Sequence, residues 1–514
     1  MKSLFLHFVL ISLIFFSDRF AFIPPADSGE CTIGVFSGSA TEDGRPILWK
    51  NRDVTNDIQK FCYFAPRTMP AESTFYAYIG NVYSSDTTMV YMGLNEVGFA
   101  IINANCYNLP DTVARGIDDG ELIRMALEKC RTVAEFEDLL AYTATKGRKA
   151  CWNIGVIDAQ GGAALYECSN YTYTKYNANN PEQAPDGIIV RTTFAFSGGS
   201  NRPSMNRYKR AHALAHAPLG EERLNVRYVL QKMSRDLFNF MDDPYPLPYT
   251  GRQNGRMPGL ILTRDITINR DVTRSVMVIR GIAPGEDPRL GTVFCTIGPP
   301  VISVAYPLWV MSHDIPVQLN FGVQVPMFSK VLQHRQLLYP YAKDPYYLDS
   351  GYLKNANGTG LYDYIFPLED HAIEYADSCV RAWEVSIPDR ETVKDAQNAM
   401  ASYIYTNFVE IPAQSTGTRQ PDEYYTADMT CYPNPFNART TIYLSGFDAY
   451  SKLTVTIYDV LGRKVEEFPN VYGPEKAINW DGRDYDGNQL SSGIYFVRAQ
   501  SGTFTKTVKA LLMK

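Results

Sequence analysis

The chain lacks several features that identify common classes of protein. It has no block of basic residues and carries a formal net charge of −6, so it has no electrostatic footprint for binding nucleic acid. After the N-terminal leader, no segment is long and apolar enough to cross a membrane. The cysteines form no C-x-x-C motif and no cluster with histidine, so we expect no metal ion and no cofactor.

The first residues predict a leader that is removed during export. Lys2 is followed by an apolar run from Leu4 to Phe16, and Ala21 is a small residue at a possible cleavage site. We therefore assign 1–21 to a signal peptide and the polar, proline-rich stretch 22–30 to a propeptide. The nine cysteines are odd in number, so at least one stays unpaired, and disulfide pairing of the others stays open.

Hairpins separated by helical segments indicate an α+β fold with antiparallel sheets. The predicted strand pairs, each joined by a short turn, are 32–36 with 46–50, 87–93 with 98–105, and 154–158 with 163–167. The predicted helices are 120–130, 133–142, 205–216, 222–238 and 389–408.

A polar linker divides the chain near its C-terminal end. The 514 residues are too many for one hydrophobic core, so two or more domains are expected. Residues 411–427 are predicted to be the linker, and the larger domain before them spans 31–410. After it, short alternating strands separated by turns predict a small all-β, Ig-like sandwich over 428–514.

The position of Cys31 suggests a chemical function. This cysteine directly follows the predicted propeptide and begins a predicted strand. If the chain is cut between Glu30 and Cys31, one residue carries both a thiol nucleophile and a free α-amino group. The amine, with an intrinsic pKa of about 8, can accept the thiol proton, so the pair needs no histidine.

Several short motifs follow one another from Cys31 onward. They are Cys31-Thr32, Lys50-Asn51-Arg52-Asp53, the stretch 93–100 with Asn105 ten residues after Asn95, Arg191-Thr192-Thr193-Phe194, and 205–211. This order resembles the N-terminal nucleophile (Ntn) hydrolases, in the branch of choloylglycine hydrolase, penicillin V acylase and acyl-CoA:6-aminopenicillanic acid acyltransferase. The resemblance covers about 31–310. It implies a four-layer αββα sandwich and cleavage of a linear, non-peptide or small-peptide amide through an acyl-thioester on Cys31.

The resemblance also implies roles for the matched residues. Asp53 would accept hydrogen bonds from the terminal ammonium group, and Asn105 would donate an amide N–H to the oxyanion. Arg207 would complete the network around them. We predict that Cys31 becomes N-terminal by attacking the carbonyl of Glu30 itself.

Two positions depart from the family pattern. Lys50 stands where the family usually has arginine, and Arg52, two residues along the same strand, could take its place. Thr193 stands where the family usually has a catalytic asparagine, and its hydroxyl can donate only one hydrogen bond. These departures imply either lower activity or a different substrate.

Other interpretations of the chain stay open. The acyl group could pass to an amine instead of water, or the fold could persist in an inactive surface-binding protein. Cys31 could instead carry a lipid or form a disulfide, although Glu30 is not the small residue that a lipidation site needs. A papain-like protease is disfavoured because no histidine stands in a recognisable motif. The expected substrate is a small-molecule amide, and its acyl group, its amine group and the oligomeric state of the protein stay open.

The C-terminal sandwich carries its own motifs. These are Cys431-Tyr432-Pro433-Asn434-Pro435-Phe436-Asn437, Trp480-Asp481-Gly482-Arg483-Asp484 and Ser492-Gly493-Ile494-Tyr495-Phe496-Val497. They resemble the C-terminal sorting domain of the type IX (Por) secretion system. The resemblance implies that the secretion machinery is a partner. The chain would then be secreted, or lie on the outer surface of a Gram-negative bacterium of the Bacteroidetes type.

Overall fold

The computed structural model describes residues 30–54, 58–68, 74–110, 116–220, 223–238, 260–263, 266–323, 325–339, 347–355, 357–408, 428–445, 453–471, 476–501 and 504–513. The predicted signal peptide, the predicted linker and all of the predicted propeptide except Glu30 lie outside these residues. The boundaries proposed for them stay predictions.

Strands and helices of the larger, N-terminal part alternate along the chain. The strands are β1 (Thr32–Phe36), β2 (Ile47–Asp53), β3 (Gln59–Phe64), β4 (Arg67–Thr68), β5 (Thr74–Phe75), β6 (Tyr78–Tyr83), β7 (Met92–Asn95), β8 (Ala100–Asn105), β9 (Trp152–Ile157), β10 (Ala163–Cys168), β11 (Tyr173–Asn177), β12 (Ile188–Arg191), β13 (Leu260–Leu262), β14 (Thr273–Arg280), β15 (Thr292–Ile297), β16 (Tyr306–Leu308) and β17 (Tyr347–Asp349). The helices are α1 (Asp119–Lys129), α2 (Val133–Lys146), α3 (Met205–His216), α4 (Val226–Tyr228), α5 (Val317–Asn320), α6 (Pro326–Leu338), α7 (Ser350–Leu353), α8 (Tyr362–Val385) and α9 (Arg390–Asn407).

Two antiparallel sheets form the centre of this part. The first has the strand order β12-β1-β2-β14-β15-β16, and the second has the order β11-β10-β9-β8-β7-β6-β3. Strands β1 and β2 of the first sheet pack against β8 and β9 of the second. The sheets are therefore stacked face to face.

Alternating side chains in these strands explain the order of the layers. In β2, Leu48 packs between the sheets, whereas Ile47 and Trp49 face a cluster formed with α3 and α8. In β8, Ile102 packs between the sheets, whereas Ile101 faces a cluster formed with α1 and α2. Since both faces of each sheet are apolar, each outer face needs a helical cover. The result is the expected α+β fold with an αββα order of layers.

The predicted helix 222–238 is correct for only half of its described residues, 226–233. Helix α4 has three residues and continues only as a π-helical turn over Val229–Met233. The Ser234 amide and hydroxyl both donate to the Val229 carbonyl, at 2.8 and 2.9 Å, and the helix ends there. The Arg235 guanidinium then turns inward and donates two hydrogen bonds of 2.7 Å to Glu369 of α8. This long-range ion pair leaves no trace in local periodicity.

The other predicted elements agree more closely with the structure. Helix α3 has the predicted bounds, and the three predicted hairpins are present as β1–β2, β7–β8 and β9–β10. The prediction for the second hairpin is wrong over 87–91, because β7 begins only at Met92. No helix of the described residues is long and apolar enough to span a bilayer.

The C-terminal part is all-β, as predicted. Its strands are β18 (Asp428–Tyr432), β19 (Thr440–Ser445), β20 (Leu453–Tyr458), β21 (Lys464–Val471), β22 (Lys476–Trp480), β23 (Gly493–Ser501) and β24 (Phe504–Leu512). They form two sheets, β18-β19-β22 and β21-β20-β23-β24, around a core in which the Trp480 ring contacts Phe436 and Tyr495. Asp484 accepts the Asp486 and Asn488 amides and stabilises the turn before β23.

Candidate active site

Cys31 lies directly before β1, at the end of the sandwich where β2 and β8 also end. Its side chain belongs to the apolar cluster between the sheets, the residue is 3% exposed, and its thiol is free. It borders a cavity of about 290 Å³. Three residues that the sequence assigned to the site line the same cavity: Lys50, Arg52 and Asn105.

Lys50 is a buried cation of this cavity. Its amine donates hydrogen bonds to Asn103 Oδ1 at 2.5 Å and to the Tyr91 carbonyl at 2.9 Å. Burial lowers the pKa of Lys50 to about 8, although the negative charge of a Cys31 thiolate opposes this change. Lys50 is therefore mostly protonated at pH 7 and can stabilise a nearby thiolate.

Arg52 is held differently from Lys50. Its guanidinium lies 3.7 Å from the centre of the Tyr91 ring and 4.8 Å from that of Tyr83. Its Nε donates to Gln59 Oε1 at 2.8 Å. Since these contacts hold the guanidinium against two aromatic rings, Arg52 forms a wall of the cavity, and its positive charge adds to that of Lys50.

The two asparagines of β8 have different surroundings. Asn103 accepts from Lys50 and donates to Asp119 Oδ2 at 2.8 Å, so its amide is engaged on both sides. Burial raises the pKa of Asp119 to about 6, and its carboxylate neighbour Asp118 adds to this effect. Asn105, two residues farther along the strand, is half-buried at the same cavity. Both asparagines line the cavity that Cys31 borders.

Asp53 lies on the other face of β2 from Lys50 and Arg52, as strand alternation requires. It is 1% exposed, and its carboxylate accepts hydrogen bonds from the Thr273 hydroxyl at 2.6 Å and from Arg270 Nη1 at 3.3 Å. Burial raises its pKa, whereas the charges of Arg270 and Arg207 act to lower it. A buried carboxylate thus lies beside Arg270, which also contacts Glu30, the residue before Cys31.

Glu30 joins the same group of charges. Its carboxylate lies 2.9 Å from Arg270 Nη1 and 3.7 Å from Arg207 Nη1. The same Arg270 nitrogen is 3.4 Å from the Glu30 carbonyl oxygen, which belongs to the peptide bond with Cys31. A cation is therefore directed at the carbonyl that the thiol of Cys31 would have to attack.

Arg207 connects Thr193 to this cluster. The Arg207 side chain is fully buried, and its Nη2 donates to the Ser204 hydroxyl at 3.0 Å. Ser204 in turn shares a hydrogen bond of 2.9 Å with the Thr193 hydroxyl. Ser204 has φ of 60°, a left-handed conformation that is uncommon outside glycine and that fixes the start of α3.

The six other residues assigned from the sequence thus lie either at the cavity that Cys31 borders or at the charged cluster around Glu30. Lys50, Arg52 and Asn105 lie at the cavity, Asp53 and Arg207 meet at the Glu30 cluster, and Thr193 reaches Arg207 through Ser204. Their catalytic roles stay predictions.

Sequence reasoning missed Arg270 and Asn103. Arg270 precedes β14 and is far from Cys31 along the chain, and no motif marks it. Asn103 lies on the same face of β8 as Asn105, but the spacing from Asn95 in the family points to Asn105. Asn95, in contrast, has a structural role: its Oδ1 accepts the Val97 and Phe99 amides, and its Nδ2 donates to the Leu127 and Cys130 carbonyls.

Comparisons with known proteins agree with both resemblances. Residues 39–192 match the family model described as acyl-coenzyme A:6-aminopenicillanic acid acyl-transferase. Residues 430–514 match the model described as the secretion system C-terminal sorting domain. Both resemblances are confirmed. No curated protein matches the chain significantly.

Three solved structures similar to parts of this chain are two hydrolases and one secretion-system protein. Penicillin V acylase from Agrobacterium tumefaciens is 17% identical, covers 54% of this chain and 86% of its own, and has a TM-score of 0.33. A variant of the conjugated bile acid hydrolase from Clostridium perfringens is 13% identical, with coverages of 57% and 95% and a TM-score of 0.34. PorZ of the type-IX secretion system of Porphyromonas gingivalis is 25% identical over 17% of this chain and 11% of its own, with a TM-score of 0.14.

Proposed function

We propose that the chain matures by cleavage between Glu30 and Cys31 and then hydrolyses a linear amide through an acyl-thioester on Cys31. The observation that carries this proposal is the position of the Glu30–Cys31 bond. The thiol lies at a cavity with Lys50 and Asn105, while the preceding carbonyl lies within reach of a guanidinium. The family match of residues 39–192 supports the same class of acyl chemistry.

Maturation would be an attack of the chain on itself. The Cys31 sulfur adds to the Glu30 carbonyl carbon, and Arg270 stabilises the negative charge that develops on the oxygen. Collapse breaks the bond to the Cys31 nitrogen, which takes up a proton, and leaves Glu30 as a thioester. Water then hydrolyses the thioester, which releases the propeptide with a new carboxylate on Glu30 and frees the thiol, so that Cys31 carries both its thiol and the α-amine freed in the previous step.

The mature site would repeat this chemistry on a substrate. The α-amine, oriented by Asp53, takes the thiol proton, and the thiolate attacks the amide carbonyl with Asn105 as an oxyanion donor. The amine returns the proton to the leaving nitrogen. Water then attacks the thioester, with the α-amine as base, and regenerates Cys31. Lys50 keeps positive charge near the sulfur throughout.

A variant at Cys31 tests the proposal. Wild type, Cys31→Ala and the control Cys379→Ala, which removes another free cysteine, are purified and assayed against bile-salt conjugates, penicillin V, acyl-homoserine lactones and small peptides. Wild type and Cys379→Ala should begin at Cys31, react with iodoacetamide there and cleave at least one amide. Cys31→Ala should keep Glu30 and be inactive. Full activity in Cys31→Ala would refute the proposal, whereas an unreactive, inactive wild type would support the inactive scaffold.

Acyl transfer is the second candidate, because the family matched by residues 39–192 is described as an acyl-transferase. The thioester would then pass its acyl group to an amine instead of water. Adding a primary amine to the assay distinguishes the two, since a transferase yields the new amide faster than the free acid. Export of the mature enzyme to the cell surface or the medium of a Bacteroidetes-type bacterium is the location that the sorting domain supports.

A further inference from the structure

Glu30 occupies a site built for a carboxylate. The residue is 8% exposed, although a glutamate is rarely buried without partners. Its carboxylate faces Arg270 and Arg207, at 2.9 and 3.7 Å, and both guanidiniums are themselves buried. Arg207 is fixed by helix α3, and Arg270 is fixed at the start of β14 by its contact with Asp53.

Cleavage before Cys31 would change the balance of charge in this cluster. In the uncleaved chain, two guanidiniums face the carboxylates of Glu30 and Asp53. Departure of the propeptide removes one of these carboxylates and leaves the arginines in place on α3 and before β14. A buried cationic site that has lost an anionic partner favours binding of another anion.

We propose that the site vacated by Glu30 binds a carboxylate on the acyl half of the substrate. The inference rests on the function proposed above. In maturation, Glu30 is the acyl group that Cys31 attacks. Three carbon atoms, Cα, Cβ and Cγ, separate its side-chain carboxylate from the reacting carbonyl. Substrates of the same shape are amides of glutaryl or N-acylated α-glutamyl groups. Arg270 and Arg207 are then the residues that determine acyl specificity.

Paired substrates that differ by one charge test this inference. A version that starts at Met followed directly by Cys31 loses the methionine during expression and does not depend on self-cleavage. The kcat/KM for N-acetyl-glutamyl 4-nitroanilide should exceed that for the glutaminyl analogue by about tenfold or more, because the neutral amide leaves the guanidiniums without an anion. A ratio near one, with both substrates cleaved, overturns the inference but leaves the proposed function intact.

Variants at Arg270 show whether its guanidinium causes the difference in kcat/KM between the two anilides. Arg270→Gln should bring the ratio close to one, and Arg270→Lys, which keeps the charge but loses the forked geometry, should give an intermediate ratio. Circular dichroism checks that each variant is folded. If Arg270→Gln does not fold, Arg207→Lys replaces it and should lower the ratio. A folded Arg270→Gln with the wild-type ratio contradicts the inference.

A second measurement does not require turnover. Glutarate should slow the alkylation of Cys31 by iodoacetamide in the version starting at Cys31, whereas the neutral glutaramide should not. If neither anilide is cleaved, this protection alone decides the inference, and the amide panel described above decides the proposed function. Equal effects of the two compounds, or none from either, would overturn the carboxylate site.

Discussion

Replacing the carboxylate of Glu30 should destabilise the uncleaved chain and only that chain. The test uses the Cys31→Ala background, in which Glu30 remains attached. Glu30→Gln keeps the size of the side chain but removes the charge that faces Arg270 at 2.9 Å and Arg207 at 3.7 Å. Two guanidiniums then lose one of their anionic partners in a buried site.

The size of the effect follows from these distances. At about 4 Å and an effective dielectric constant of about 20, one ion pair is worth about 4 kcal/mol before desolvation. Removing one partner of a buried pair costs about 3 to 5 kcal/mol in measured cases. Because Glu30 keeps some exposure, we expect the lower end, a loss of about 3 kcal/mol in the free energy of unfolding.

Urea denaturation of the single and double variants measures this difference. Glu391→Gln in the same background is the control, because it breaks the exposed ion pair with Arg390 and should leave the urea midpoint unchanged. A loss below about 0.5 kcal/mol for Glu30→Gln, which is the usual range for surface substitutions, would refute the view that Glu30 is held in a built site.

Three further predictions concern other parts of the chain. Burial lowers the pKa of Lys50 from 10.5 to about 8. Between pH 8 and pH 10.5 the unfolded chain therefore binds more protons than the folded chain, so the contribution of Lys50 makes the free energy of unfolding rise with pH in this range. Lys50→Met should flatten this rise in urea titrations, and an unchanged slope would contradict the assignment. Glu369→Gln breaks the buried ion pair in which Arg235 donates two hydrogen bonds to Glu369. The free energy of unfolding, measured by urea denaturation, should fall by about 3 to 5 kcal/mol. A loss below about 1 kcal/mol would contradict the importance of this pair. Deleting 428–514 should abolish export, and unimpaired appearance of the shortened chain outside the cell would disprove the sorting role.

The first hairpin and helix α3 could be predicted from sequence because local signals determine them. Gly44 has φ of 75°, which glycine adopts readily, and it lies in the connection between β1 and β2. Alternation along a strand likewise predicts that Lys50 and Arg52 share one face of β2. The position of these two cations at the cavity next to Cys31 was therefore predictable in part.

Contacts between distant segments could not be predicted in this way. Arg270 and Glu30 are separated by 240 positions, so no local pattern relates them. The end of α4 depends in the same way on the pair between Arg235 and Glu369, which joins two elements 134 positions apart. Strand β14 is buried on both faces, and such a continuous apolar run does not distinguish a strand from a buried helix.

The central claim is that the working protein begins with the residue that carries the nucleophile. Intact mass and N-terminal sequence of the purified, active protein test it most directly. The account predicts that wild type begins at Cys31 and that Cys31→Ala retains Glu30 and has no amidase activity. Active wild-type protein with any residue still attached before Cys31 would contradict it.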